Sequence, residues 1–292
     1  MTRSGPIVVL VFSHRDPGQV HRLVGRLQEG RDVFVAIHHE PAGERLRDIE
    51  ASDVALVPDP LHCAWGRVQM AEAMWRSLSW VASAVPELSW VLLISGQDYP
   101  AMPIRQLEHE LRTTPHDAFL RHFRLDDDPA LDVHPWQQIA RRRYLRSRRV
   151  PFTARSMPWP RRHPFGPTLH PFAGDVWFNL SAEAVRHALD SPALADELLR
   201  FLRGSANADE LFIPTLVLNQ QDHLDVVSDR RRFVRFAPGA PHPRELNVDD
   251  VPEIIASGAF FARKVDSRNG ELLAALDAVT SAAADHGGSA MS

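Results

Sequence analysis

The residues best suited to chemistry in this chain are a few acids and cations placed at the ends of apolar runs. Asp98 follows Trp90-Val91-Leu92-Leu93-Ile94-Ser95-Gly96-Gln97 and precedes Tyr99-Pro100. Five apolar residues in a row read as a strand buried on both faces, inside a parallel sheet. Ser95-Gly96 permits a tight turn that carries Asp98 to the carboxyl end of that strand, and Pro100 is expected to block any extension of the ladder. Ligands of open α/β sheets bind outside those carboxyl ends, so Asp98 is either a ligand-facing acid or a polar turn after a core strand. A second acid, Glu210, lies three residues after Asn207 in Ser205-Ala206-Asn207-Ala208-Asp209-Glu210-Leu211-Phe212-Ile213, which is expected to open a helix. With an ordinary pKa of about 4.3, a glutamate is ionised at neutral pH and able to accept a proton. The same spacing writes a capping box, in which the carboxylate only satisfies a backbone N–H. Both readings stand on these residues alone. Asp209 projects about 100° away around the helix, so the two acids are not expected to serve one oxygen.

These residues need a scaffold, and the hydropathy pattern supplies it. Residues 7–12 form a buried strand ending at Ser13-His14, and residues 18–29 place Val20, Leu23, Val24 and Leu27 at helical spacing. Val33-Phe34-Val35-Ala36-Ile37 is a second strand, ending at His38-His39-Glu40. Strand, helix and strand make a βαβ unit with a right-handed crossover. No G-x-G-x-x-G occupies the first turn, which argues against a dinucleotide site. A short strand at 54–58 leads through His62-Cys63-Ala64-Trp65-Gly66 to a helix over 68–84; a helix over 104–112 and a strand over 117–122 follow Asp98. The pattern predicts an α/β fold, a doubly wound and mostly parallel sheet with helices on both faces. Ser13-His14, Glu40, Trp65 and Asp98 collect at the strand ends and are expected to converge on one crevice.

Between 126 and 172 the character changes. Six prolines between 151 and 171 forbid long helices there, and a long ordered loop over the site is expected. The acidic Asp126-Asp127-Asp128 has no His or Cys at ligand spacing and reads as a solvated loop rather than a metal site. The arginine-rich piece from Arg141 to Arg149 reads as helix-face arginines that pair with carboxylates or line an anionic pocket. Ala173 to Ser181 returns to strand character, and Ser181 starts a helix with Glu183 in its first turn.

Across 292 residues, 44% hydrophobic and 24% charged content is that of a soluble globular protein, expected as a single domain over 1–283 with a disordered tail at 284–292. The formal net charge of −4 gives no drive toward nucleic acid or anionic membrane. One cysteine, Cys63, rules out an internal disulfide and is expected to be an inert thiol in a reducing compartment. The apolar run at 7–12 is too short to span a membrane and reads as a strand rather than a signal peptide, so a cytosolic protein is expected.

Taken together, the blocks resemble the core-2/I-branching β-1,6-N-acetylglucosaminyltransferases and their relatives, the peptide O-xylosyltransferases and plant glucuronosyltransferases. The matching blocks, in order, begin with Phe12-Ser13-His14-Arg15-Asp16-Pro17, Ile37-His38-His39-Glu40, Trp65-Gly66 and Leu93-Ile94-Ser95-Gly96-Gln97-Asp98-Tyr99-Pro100. They continue with Gly174-Asp175-Val176-Trp177, Ala208-Asp209-Glu210-Leu211-Phe212, Pro241-His242-Pro243 and Phe260-Phe261-Ala262-Arg263-Lys264. The resemblance covers roughly residues 7–266. It implies a GT-A-like fold, a UDP-sugar donor, a glycoside or glycan acceptor, inversion at the anomeric carbon, and no metal or other cofactor.

The resemblance further implies site residues. Glu210 would be the catalytic base, and Arg232 and Lys264 the cations that stabilise the departing diphosphate, an arginine fork beside a lysine point charge. The first acid of a metal-binding Asp-x-Asp is missing at Gly96-Gln97-Asp98, so Asp98 is expected to hold the donor sugar. His14 and Glu40 would contact the nucleotide, Glu40 replacing an Asp of the relatives. Trp65 offers a flat apolar face to the donor, while Trp177 and Asp175 would meet the acceptor. The cysteines of animal relatives are not found here, no membrane anchor is expected, and Ser-Pro-Asp-Glu becomes Asn207-Ala208-Asp209-Glu210. Two other readings remain at this point: a metal-dependent transferase using Asp98 with the Asp126–Asp128 triplet, and a noncatalytic carbohydrate- or nucleic-acid-binding protein that uses the arginine segment.

Overall fold

The computed structural model describes residues 3–64, 66–126, 135–149, 156–158, 162–219, 223–240 and 242–281. Along the chain run β1 (Ile7–Ser13), α1 (Pro17–Leu27), β2 (Val33–His39), β3 (Val54–Leu56) and α2 (Val68–Ala84). Next come β4 (Trp90–Ser95), β5 (Asp98–Pro100), α3 (Ile104–Thr113), β6 (Ala118–Arg124), α4 (Pro135–Leu145), β7 (Ser147–Arg149) and β8 (Ser156–Pro158). The remainder is β9 (Phe172–Ser181), α5 (Ala182–Leu189), α6 (Pro192–Leu202), α7 (Asp209–Leu218), β10 (Val226–Val227), β11 (Arg232–Val234), α8 (Val251–Ala256), β12 (Phe261–Arg263) and α9 (Gly270–Ser281). The expected class holds: helices alternate with strands, and the strands pair mostly in parallel. The packing divides the chain into two compact units.

The first unit comprises Met1–Pro58, Glu87–Thr114 and Arg231–Ser292. Its sheet has β1 paired in parallel with β2 on one side and β4 on the other, with β3 outside β2. Ile7, Val8, Leu10, Val11 and all of Trp90 to Ile94 are sealed from solvent, as two-faced burial requires. Each such side chain contributes about 1.5–3 kcal/mol by leaving water. The register sets Phe12 opposite Ser95 and Ser13 opposite His39, so the carboxyl ends of the three strands lie level. A second, three-stranded sheet has β12 between β11 and β5. Pro100 therefore does not end the strand pairing as expected: it is itself a strand residue, opposite Phe261. β5 is an edge strand there, and an edge tolerates the missing N–H.

The second unit comprises Asp59–Pro86 and Pro115–Arg230. β6 pairs antiparallel with β9 and parallel with β10. Helix α7 is the centre of this unit, packed by β9, α2, α5 and α6. Every residue from Leu211 to Leu218 is buried, as expected of a helix that is apolar all round. Ser181 caps α5 by accepting from the Ala184 N–H, the start signal read from its sequence. Among the described residues the expected long loop is in part regular, holding α4 and the β7–β8 hairpin. Asp127, Asp128 and the tail at 284–292 lie outside the described residues.

At Gly174 the β6–β9 register shifts, and a Cβ there would sit 1.8 Å from the Arg121 carbonyl oxygen. That contact is backbone and cannot swing aside. Gly174→Ala is expected to lower stability by about 1–3 kcal/mol, read as a drop in the urea midpoint at unchanged slope.

Candidate active site

The first unit carries an acid that the fold has put to structural use. The side chains of Asp98 and Arg232 are both 0% exposed, with Arg232 Nε 3.1 Å from Asp98 Oδ1. The other oxygen, Oδ2, accepts from the Ser95 backbone N–H at 2.7 Å and from its hydroxyl at 2.5 Å, and Arg263 Nη1 stands 3.7 Å away. Arg232 also donates to the Leu93 carbonyl at 3.1 Å. Two expectations are corrected here. Asp98 does not offer its carboxylate to a donor sugar, and Arg232 does not offer its guanidinium to a diphosphate. Each is sealed inside the unit by the other. The same commitment leaves Asp98 unsuited to a metal, since its oxygens already face guanidinium and N–H groups.

The level strand ends of this unit carry the other donor-side candidates. His14 and Glu40 each follow the last residue of their strand, at paired positions. His14 faces solvent and Glu40 is half-buried, its Oε1 accepting from the Ala42 N–H at 3.2 Å. Ser13, read from the sequence as a strand-end residue, and His39, which was not singled out, hold this corner. His39 Nε2 bonds the Glu44 carbonyl at 2.6 Å, which requires its proton there, so Nδ1 accepts from Ser13 Oγ at 2.8 Å. Lys264 follows β12, and its ammonium pKa is lowered by burial, then by the nearby Arg263 and Arg15. Like charges so gathered favour an anion. Lys264 is also the chain's single lysine, and neither it nor Arg15 forms an ion pair among the described residues.

In the second unit Glu210 lies in the first turn of α7 and is not a capping residue. The Asn207 backbone N–H, which a capping box would direct at the carboxylate, donates to the Gly66 carbonyl at 3.2 Å. Glu210 instead accepts from Asn207 Nδ2 at Oε1, 3.0 Å, and from Arg143 Nη1 at Oε2, 2.8 Å. The Tyr144 hydroxyl lies 3.3 Å from the same Oε2 and donates to the Asn207 carbonyl at 2.6 Å. Pro214, four residues on, brings no N–H to the Glu210 carbonyl. The Glu210 side chain keeps 21% of its surface in solvent. Its pKa is pushed up to about 7 by burial and then by the Asp209 charge, against the pull of Arg143 and Asn207; Asp175 adds a further push. Asp209 is pushed up to about 6, again chiefly by burial. A helix N-terminus ordinarily favours carboxylate anions by up to about 1 kcal/mol; here desolvation outweighs it.

Asp175 and Trp177 lie two residues apart in β9, in the stretch where its register with β6 shifts. Asp175 Oδ2 accepts from Arg230 Nη1 at 2.5 Å, with Arg121 Nη1 3.9 Å off. The structure thus brings Asp175 within electrostatic reach of Glu210. Trp65 lies outside the described residues. The arginine run divides by role: Arg141 is buried and donates to the Leu125 carbonyl, Arg143 holds Glu210, and Arg142 and Arg146 face solvent. Arg143 and Tyr144 were not singled out in the sequence. The signal was the expectation that these arginines pair with carboxylates, but the partner lies 67 positions away.

The model of the Core-2/I-branching enzyme family matches residues 11–257. The chain belongs to this family and is a glycosyltransferase. No curated protein matches it. Among solved structures it is similar to a 4-diphosphocytidyl-2C-methyl-D-erythritol synthase from Anaerococcus prevotii DSM 20548, at 10% identity and a TM-score of 0.36, over 86% of this chain and 96% of the other. A likeness that slight carries no statement about this chain. No described helix is long and apolar enough to cross a membrane.

Arg232→Ala would leave the Asp98 carboxylate buried beside a weaker partner. We expect a loss of about 3–5 kcal/mol, measured by urea unfolding. Arg268→Ala, at a cation 81% exposed, should leave the urea midpoint unchanged, because water already screens its ion pair.

Proposed function

We propose that the protein is an inverting, metal-independent glycosyltransferase. It moves a sugar, N-acetylglucosamine or a related hexose or pentose, from a UDP-sugar to a hydroxyl of a glycoside or glycan acceptor. The observation that carries this reading is Glu210, a half-shielded carboxylate held by Arg143 and Asn207 and burdened by Asp209 and Asp175. A carboxylate so placed keeps an appreciable proton affinity, which general base catalysis at neutral pH needs.

In this mechanism Glu210 takes the proton from the acceptor hydroxyl. The acceptor oxygen forms its bond to the anomeric carbon on the face opposite the diphosphate, yielding a β linkage. The bond from that carbon to the diphosphate oxygen breaks, and its electron pair leaves with UDP. Lys264 and Arg15, cations of the first unit that repel one another, stabilise the charge on the departing diphosphate, in place of the pairing first assigned to Arg232. Asp98, committed to Ser95 and Arg232, supports a route without a metal. His14 and Glu40, at the level strand ends, suit contact with the nucleotide, and Asp175 and Trp177 suit the acceptor. A cytosolic enzyme acting on a small glycoside or glycan, with neither nucleic acid nor a membrane span as partner, fits the net charge of −4.

Glu210→Gln should retain UDP binding by calorimetry while losing transfer by a factor of about 10² to 10⁴; undiminished turnover would remove Glu210 as the base. Transfer should survive EDTA. Periodate-oxidised UDP with borohydride should attach at Lys264, the single lysine, with free UDP protecting it. Labelling unaffected by UDP would exclude Lys264 from the diphosphate site.

A further inference from the structure

The first turn of α7 places Asp209 and Glu210 in sequence, and the two are provided for unequally. Both oxygens of Glu210 have partners: Asn207 Nδ2 at 3.0 Å on Oε1, and Arg143 Nη1 at 2.8 Å on Oε2. Asp209 Oδ1 is shielded from water and accepts no hydrogen bond. A buried carboxylate oxygen without a donor is a rare arrangement, and one that raises the local negative potential. Arg143 is itself held in place, over the rings of Trp136 at 5.6 Å and Tyr144 at 5.8 Å.

We propose that Asp209 and Arg143 are positioning residues for Glu210, Asp209 strengthening and Arg143 weakening its hold on a proton, with Oε1 as the atom that receives it. The proposal rests on the reading of Glu210 as base. The choice of atom follows from counting lone pairs. Each carboxylate oxygen offers about two. Arg143 takes one on Oε2, and the Tyr144 oxygen, 3.3 Å away, crowds the other. Oε1 gives one to Asn207 and keeps one open. Asn207 is itself anchored: its backbone N–H donates to the Gly66 carbonyl at 3.2 Å, and its carbonyl accepts from Tyr144 at 2.6 Å.

The charged and titratable groups facing Glu210 are few enough to assign. Arg143 and Tyr144 come from α4, Asp209 from the same turn, and Asp175, the smallest push, from β9, where Arg230 faces it at 2.5 Å. Tyr144 is fully buried and its hydroxyl is held well above the usual phenol range, first by burial and then by Glu210, so it stays neutral. That leaves Asp209 and Arg143 as the adjacent charges of opposite sign. Removing the negative one should let Glu210 ionise at lower pH; removing the positive one should delay ionisation to higher pH.

The test is a carbon-13 NMR titration of the unliganded full chain with labelled glutamate side chains, Glu210 being assigned through Glu210→Gln. Asp209→Asn should move the Glu210 midpoint down by about one pH unit, and Arg143→Gln should move it up by about as much. Arg143→Lys should restore most of the downward pull. The oppositely directed shifts are the signature, because general loosening of the helix would move both variants the same way. A midpoint unmoved in both variants, or moved in one direction by both, overturns the proposal. If Asp209→Asn fails to fold, the Arg143→Gln and Arg143→Lys pair decides by the upward shift and its rescue. Hydrolysis of UDP-N-acetylglucosamine across pH, as a separate arm, tests Glu210 as base. Opposed NMR shifts together with hydrolysis undiminished in Glu210→Gln uphold the tuning and sink the reading of Glu210 as base.

Discussion

The buried pairing of Asp98 with Arg232 is the constraint on which the first unit is built. Moving either charge into a protein interior costs several kcal/mol, and their attraction offsets this only when the remaining hydrogen-bonding capacity is also met. Here it is met in part: Ser95 supplies two donors to Asp98 Oδ2 and the Leu93 carbonyl takes a guanidinium proton, while Asp98 Oδ1 has the Arg232 guanidinium 3.1 Å away as its counter-charge. The pair joins the end of β4 and the start of β5 to β11, with Arg263 of β12 close by. Four strands from two sheets are thereby held around one carboxylate. Loss of either partner strands a charge where water cannot reach it.

Glu210 shows what happens when the same chemistry is left unfinished. It too is withdrawn from water and faces an arginine. Yet Asp209 beside it has an unmet oxygen, and a fifth of the Glu210 side chain remains open. A counter-charge combined with complete burial takes an acid out of reach of a ligand, as at Asp98. Partial compensation keeps its proton affinity near the range in which it can exchange with a substrate. In a glycosyltransferase of the Core-2/I-branching family, that difference separates an acid that builds the scaffold from the acid we propose as the base.

Much of the fold was legible because strands and helices write their periods into the chain. The β1, β2 and β4 runs are unbroken apolar stretches, and α1 and α2 begin and end within a residue or two of expectation. Helix α6 was not recognised, although Ser191-Pro192 followed by Leu198 and Leu202 on one face is a start signal with a stripe behind it. β5 was misjudged because a proline was weighed without knowing that its strand sits at an edge. Glu210 was placed, but its two readings were indistinguishable until the Asn207 N–H was seen to be taken by Gly66. Asp98 and Arg232 were both picked out and both given the wrong task. Sequence shows that an acid and an arginine exist; whether each faces the other or a ligand depends on pairing across more than a hundred positions. Arg143 escaped notice in the same way, with its carboxylate partner 67 positions along the chain.

The first unit is assembled from three separate stretches of chain, with the second unit encoded between them. During synthesis the residues of the second unit are complete before β11 and β12 have been made. For that interval Asp98 has left the ribosome without its counter-charge, since Arg232 follows Leu93, its other partner, by 139 positions. Until then Asp98 stays uncompensated, and β5 lacks β12, the strand it pairs with in the three-stranded sheet. Translation pace through residues 115–230 sets how long that exposure lasts. Yield in the cell should thus depend on chaperone capacity more than on the stability of the finished protein.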